Sequence, residues 1–338
     1  MMSVSHSSRK PKLLSLGPIN YADGGEGYMA QFYNIWDVDI LKIKPRAQFL
    51  AELKEKVHAE GPYDALMVHD LDMEIDGELL APLLPGLKIV VSASAGYNEF
   101  DVDFMTDNGI LFCNAIHAVS EATADLAVFL ILAVIRDTTR AEARMRGGKW
   151  RGDLPPTLDP NGLNLGIVGM GGIGKHIARK ISVFQMNIYY YNRNRLSPEV
   201  ERQFNVKYCS SLKELLSISD VLAINCPLNT STRGLIGKEE LACMKDGSFL
   251  VNTARGPIVD EEALIEAVRS GKIARAGLDV FANEPNVNPF FLECDRFTVI
   301  PHNGGMTVGT FKKAERECCE NLKAWYQQGK PVNSVNKI

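Results

Sequence analysis

Residues 163–175 read LNLGIVGMGGIGK, and this stretch decides the fold. Leu165, Ile167 and Val168 form a short apolar run of the kind that makes a buried strand. Gly169-x-Gly171-x-x-Gly174 follows at once, and helical spacing continues from His176 to Phe184. Strand, glycine turn and helix in this order are the context in which G-x-G-x-x-G binds a dinucleotide. Gly169 permits the tight turn, Gly171 lets the backbone approach a pyrophosphate, and Gly174 lets helix and strand pack closely. Gly172 and Ile173 lie inside the same turn. The free N–H groups and positive dipole end of the helix then favour phosphates. An earlier run, Gly24-Gly25-x-Gly27, does not fit the pattern and reads as a structural or mobile loop.

The next strand is expected over Asn187–Tyr191. Its end is where Asp or Glu would accept hydrogen bonds from the ribose hydroxyls of NAD. Asn192 stands there instead, followed by Arg193, Asn194 and Arg195. A carboxylate would repel a 2′-phosphate, whereas guanidinium forks bind phosphate oxygens in pairs. The duller reading is two solvated surface arginines. With the fingerprint upstream, NADP(H) is the expected cofactor, with NAD(H) left open.

Alternating apolar segments and helical spacing extend outward on both sides. Lys12–Leu16, Ala65–Val68, 88–93 and 110–114 read as strands, and 45–58 has helical spacing. The expected fold is therefore α/β with parallel sheets. Ser120-Glu121-Ala122-Thr123 starts a long apolar helix that is expected to run to about Arg146. Asp153 to Pro160 reads as a loop, and a last helix spans 310–328.

The chain has 338 residues, which suggests two domains. A net charge of -4 gives no reason to expect nucleic acid or an anionic membrane as partner. Seven cysteines without a C-x-x-C pair argue for reduced thiols and against a metal site. No apolar run approaches the roughly 18 residues of a membrane span. The N-terminus lacks the apolar core of a secretory signal, so the cytoplasm is expected.

A second constellation lies at later strand ends. Arg255 follows the strand 249–253, Asp279 and Glu284 occur in GLDVFANEP, and His302 occurs in VIPHNGG. Ligands of open α/β sheets bind beyond the carboxyl ends of strands. There, Arg255 would clamp a substrate carboxylate and polarise the neighbouring carbonyl. His302 would donate a proton to the carbonyl oxygen, and Glu284 would orient and charge the imidazole. Each residue alone has an ordinary explanation, and spacing alone does not license the set.

GMGGIG, VNTARGPIVDEEAL, AGLDVFANEP and PHNGG occur in this order, and with them the chain resembles the D-isomer-specific 2-hydroxyacid dehydrogenases. GGMTVGTF and QQGKP look like fungal members, mandelate-type ones included. The resemblance implies two Rossmann-like domains: residues 1–115 with 308–338 as the substrate domain, and 116–307 as the dinucleotide-binding domain. It implies Arg255, Glu284 and His302 as catalytic residues. Ser94-Ala95-Gly96 would help to hold the substrate carboxylate. Cofactor residues would be the 169–174 turn, Asn192 to Arg195, Cys226-Pro227, Thr232, Thr253-Ala254, Asp279 and Gly304-Gly305. It further implies a homodimer built around the long helix. The expected activity is reduction of a small 2-oxoacid such as glyoxylate or hydroxypyruvate by NADPH. The alternatives are a mandelate-type enzyme for bulkier substrates, a formate- or phosphonate-oxidising relative, and a dinucleotide-sensing, corepressor-like interaction protein.

Overall fold

The computed structural model describes residues 10–17, 19–21, 34–38, 45–69 and 73–338. The glycine-rich run at 24–27 lies outside these residues. Contacts divide the chain into two units, Met1–Val119 with Thr307–Ile338, and Ser120–Met306.

The first unit holds β1 (Lys12–Leu16), β2 (Asn34–Val38), β3 (Ala65–Val68), β4 (Ile89–Ser92) and β5 (Leu111–Asn114). All pair in parallel, in the order β2-β1-β3-β4-β5. A parallel sheet is covered on both faces, which is why β3 and the first three residues of β4 read as apolar runs. On one face Leu13, Met67, Ile89, Val91 and Cys113 meet Cys318, Cys319 and Leu322 of the Val308–Gln328 helix. On the other, Leu14, Leu66, Val90 and Phe112 meet Phe49, Leu50 and Leu53 of the Arg46–Glu60 helix. The last helix of the chain thus completes the unit that contains the first strand.

The second unit holds β6 (Asn164–Val168), β7 (Asn187–Tyr191), β8 (Lys207–Tyr208), β9 (Val221–Ile224), β10 (Ser248–Asn252), β11 (Ile273–Leu278) and β12 (Phe297–Val299). They form one parallel sheet, ordered β12-β11-β10-β9-β6-β7-β8. Side chains alternate between two cores, as the period of two demands. Leu165, Ile167, Val221, Ala223, Phe249 and Val251 face one. Val168, Leu222, Ile224 and Leu250 face the other. The strand order reverses between β6 and β9, and this switch point opens the crevice where doubly wound sheets take ligands.

The long helix departs from expectation. It spans Ser120–Arg136, and a separate helix covers Thr138–Arg146. Asp137 between them is buried in the left-handed region, at φ 55°. Arg140 pairs with its carboxylate, and Arg275 of β11 lies 3.7 Å from it. Arg275 also donates to the carbonyls of Val134 and Ile135, closing the helix end. A partner from a distant strand breaks the helix where no glycine or proline marks the spot. Among the described residues, no helix is long and apolar enough to cross a membrane.

The Ser120–Arg136 helix holds its sheet face through fully buried side chains such as Leu130. Leu130→Ala should cost about 3 kcal/mol, from lost transfer energy and the cavity left behind. Urea unfolding would measure it, and a loss below about 1 kcal/mol would contradict this packing.

Candidate active site

The glycine turn has the shape that the sequence motif requires. Gly169 sits at φ 97°, and a Cβ there would lie 2.6 Å from the Cys226 nitrogen. A Cβ on Gly174 would lie 2.5 Å from the Gly169 carbonyl oxygen. At Gly171 the outcome is opposite: a Cβ would meet nothing within 4 Å. The first two glycines allow close packing, and the third leaves open space above the turn. The helix Gly172–Ile181 begins here with no side chain capping its first N–H groups. Those donors point where a pyrophosphate would sit. Asn225 on the neighbouring segment donates its N–H to Val168, at 2.8 Å. Its buried side-chain nitrogen has no partner among the described residues. A buried donor left unpaired is costly unless a ligand or water meets it. The residues present therefore fit a dinucleotide.

Beyond β7, the Asn192 side-chain oxygen accepts the Met170 N–H at 2.6 Å. This bond ties the end of β7 to the glycine turn and leaves the side-chain N–H₂ as a donor. Arg193 is exposed and, among the described residues, makes no hydrogen bond or ion pair. Arg195 is committed: its Nε and Nη2 donate to Glu201 Oε1 and Oε2, both at 2.8 Å. Sequence reading treated the two arginines as equals and did not single out Glu201. Asn194 is also exposed.

Cys226 and Pro227 follow β9 at the switch point. Burial pushes the Cys226 thiol up to about 11, so it stays neutral. The Thr232 hydroxyl donates to the Pro227 carbonyl at 2.7 Å and accepts the Asn229 N–H at 2.8 Å, closing the intervening loop. Thr253 is buried, and its hydroxyl lies 3.4 Å from Asn225 Oδ1. The Asn252 side chain shapes the next turn, accepting the Ala254 N–H and donating to the Arg255 carbonyl, each at 3.0 Å. Arg255 is half-buried, and its Nη1 donates to the Ala254 carbonyl at 2.9 Å. Gly256 backs it: a Cβ there would fall 1.8 Å from the Phe281 carbonyl carbon. Only glycine lets these two backbones meet behind the arginine.

His302 and Glu284 form the centre of the site. His302 Nδ1 lies 2.8 Å from Glu284 Oε2, while Glu284 Oε1 accepts the Phe281 N–H at 2.8 Å. The Glu284 hydrogen bond raises the His302 pKa, partly opposed by burial. Burial works to raise the Glu284 pKa, but the bonds to His302 and Phe281 outweigh it, and the net direction is down. The pair thus favours imidazolium and carboxylate together. Arg255 is close enough to stabilise the Glu284 charge and to oppose that of His302. The three residues expected to act together are brought together within one unit.

Asp279 has a role that its sequence position alone does not reveal. It is buried, and its two oxygens accept the Asn303 N–H at 2.7 Å and the Gly304 N–H at 2.9 Å. Its backbone carbonyl takes the His302 N–H at 2.8 Å. Burial pushes its carboxyl up to about 6, against the pull of those N–H groups. Asp279 therefore holds the turn that presents His302, which itself sits at φ 52°. Gly304 is buried against Asp279, and Gly305 follows it, half-buried.

Ser94, Ala95 and Gly96 belong to the other unit, after β4. The Ser94 hydroxyl lies 2.8 Å from Ser92 Oγ and donates to the Gly96 carbonyl at 2.8 Å. Asn114 donates to the Ala95 carbonyl at 2.6 Å. Among the described residues, the N–H groups of Ala95 and Gly96 have no partner. Two free donors in a pinned loop suit an anion.

Comparison with known proteins bears on this arrangement. Residues 128–304 match the model of the D-isomer specific 2-hydroxyacid dehydrogenase, NAD binding domain. The dehydrogenase efuE of Hormonema carpetanum is 50% identical over 100% of this chain and 84% of its own. The 4-methyl-2-oxopentanoate reductase A of Aspergillus oryzae is 42% identical over 82% of this chain and 85% of its own. A crystal structure of a glyoxylate reductase from Paecilomyes thermophila superposes with a TM-score of 0.88 at 38% identity. That likeness covers 96% of this chain and 98% of the other. A nicotinamide dinucleotide is accordingly the cofactor of the fold, a 2-oxoacid and its 2-hydroxyacid the kind of substrate pair, and the chain belongs to the D-isomer-specific 2-hydroxyacid dehydrogenases.

Proposed function

We propose that the chain reduces a small 2-oxoacid, such as glyoxylate or hydroxypyruvate, to the D-2-hydroxyacid with NADPH. The observation that carries this reading is the 2.8 Å contact between His302 Nδ1 and Glu284 Oε2, with Arg255 beside both. When bound, the nicotinamide supplies a hydride to the carbonyl carbon. His302 gives the carbonyl oxygen its proton from Nε2, because Nδ1 is held by Glu284. Arg255 binds the substrate carboxylate and polarises the adjacent carbonyl. The Ser94-Ala95-Gly96 loop, with its two unpartnered N–H groups, is proposed as a carboxylate-binding segment of the substrate domain. Asp279 keeps the His302 turn in place and is among the residues that would hold the cofactor. The 169–174 turn, Cys226-Pro227, Thr232 and Thr253-Ala254 line the dinucleotide. In this reading 1–115 with 308–338 is the substrate domain, and 116–307 is the cofactor domain.

NADPH is the proposed partner because β7 ends in Asn192 rather than an acid, with the exposed Arg193 directly beyond it. A homodimer is part of the reading. Phe129, Met145, Trp150 and Leu158 are each at least half exposed, which suits burial against a second copy. A bulkier 2-oxoacid is the second reading, favoured by the likeness to a 4-methyl-2-oxopentanoate reductase.

Steady-state rates with glyoxylate, hydroxypyruvate, benzoylformate and 4-methyl-2-oxopentanoate, each with NADPH and NADH, test the substrate class. Arg255→Ala should raise KM and lower kcat for the best substrate, with kcat/KM down on the order of a hundredfold or more. A change in KM alone would reduce Arg255 to uniform binding.

The charge state of His302 sets the pH profile. Reduction needs its proton, so the rate should hold at low pH and fall as pH rises through its raised pKa. Oxidation of the hydroxyacid should show the mirror limb. Glu284→Gln removes the main cause of the raised pKa and should move both limbs to lower pH. An unmoved limb would mean that another group titrates.

A further inference from the structure

We infer that Glu201 holds Arg195 out of phosphate recognition, so that Arg193 is the cofactor-discriminating cation and Glu201 sets how strong the discrimination is. This deepens the NADPH reading and rests on it.

Both oxygens of Glu201 meet the Nε and Nη2 of Arg195 at 2.8 Å, the fork-to-fork geometry that Arg would otherwise offer to a phosphate. The carboxylate cannot easily swing away. Its Oε1 also accepts the Tyr190 hydroxyl at 2.7 Å, and Tyr190 is fully buried. The same hydroxyl accepts the Leu196 N–H at 3.0 Å, which fixes the chain next to Arg195. The Arg195 guanidinium carbon lies 5.3 Å from the Tyr208 ring centre, so an aromatic face holds it from another side. The carboxylate is 12% exposed and the arginine 59%.

Glu201 lies in the first turns of the Pro198–Phe204 helix, where an acid is electrostatically welcome. That alone does not explain its burial. Glu199 of the same helix is 72% exposed and pairs with Arg202 at 3.2 Å. Glu201 alone is turned inward onto the segment that would meet the adenosine ribose. A neutralised fork offers little attraction to a phosphate dianion, and its carboxylate repels one. Arg193, two residues earlier, is exposed and makes no ion pair among the described residues. The acid missing from the end of β7 thus returns on the next helix, where it tempers one of the two arginines.

Equilibrium titration of NADPH and NADH, followed by calorimetry, tests this without turnover. Arg193→Ala should weaken NADPH roughly ten- to hundredfold and leave NADH nearly unchanged. Glu201→Gln keeps an acceptor for Tyr190, releases the Arg195 charge, and should tighten NADPH about three- to tenfold with NADH unchanged. The double variant R195Q/E201Q should bind NADPH as the unaltered protein does, since it removes a pair that contributes no net charge. It also serves if E201Q alone does not fold, which NADH binding reveals. Weaker or unchanged NADPH binding in E201Q overturns the inference. So does an NADPH loss in R195Q/E201Q as large as in R193A, because Arg195 would then be a phosphate ligand that Glu201 positions. If the unaltered protein binds both cofactors equally and R193A changes neither, the NADPH reading itself fails.

Discussion

Asp279 is buried at the end of β11, and each of its oxygens accepts a backbone N–H from the turn after β12. Its carbonyl accepts a third, from His302. Three bonds at one residue hold a turn that would otherwise be strained, since a non-glycine residue in the left-handed region costs on the order of 1–3 kcal/mol. The direction of the His302 ring and the approach of its Nδ1 to Glu284 follow from that turn. Burial raises the Asp279 pKa while the two N–H donors lower it, so the carboxylate is held by the structure it holds. Asp279 also lies one strand away from Asn252, whose side chain shapes the turn carrying Arg255. Two neighbouring strand ends thus deliver the cation and the imidazole.

Much of this was legible in the sequence, for definable reasons. The glycine motif announces itself because steric demands leave few alternatives at Gly169 and Gly174. Strands buried on both faces appear as short apolar runs whatever surrounds them. Arg255, Glu284 and His302 could be placed at strand ends, because parallel sheets gather their carboxyl ends on one edge, but only the four ordered motifs joined them into one set.

What escaped sequence reading depends on partners distant in the chain or on side-chain direction. The helix from Ser120 stops at Arg136 because Arg275, far along the chain, meets Asp137 and the last carbonyls. No local signal at 137 encodes that. Asp279 stood in the sequence as a cofactor residue, and the two backbone N–H groups that its oxygens accept were not legible there. At Asn192, the bond that its side-chain oxygen accepts from the Met170 N–H was not legible either. Arg195 and Glu201 are only six residues apart, but their pairing depends on which way the Pro198–Phe204 helix turns that carboxylate. Position was readable in these cases, and hydrogen-bond commitment was not.

The central claim is that His302 delivers the proton in a reduction carried out at this site. Single-turnover oxidation of bound NADPH by hydroxypyruvate, followed by absorbance, isolates that step from product release. The account predicts that His302→Gln binds NADPH with unaltered affinity but oxidises it roughly a hundred- to ten-thousandfold more slowly. The unaltered protein should convert one equivalent per site to D-glycerate. A single-turnover rate in His302→Gln equal to that of the unaltered protein would contradict the account.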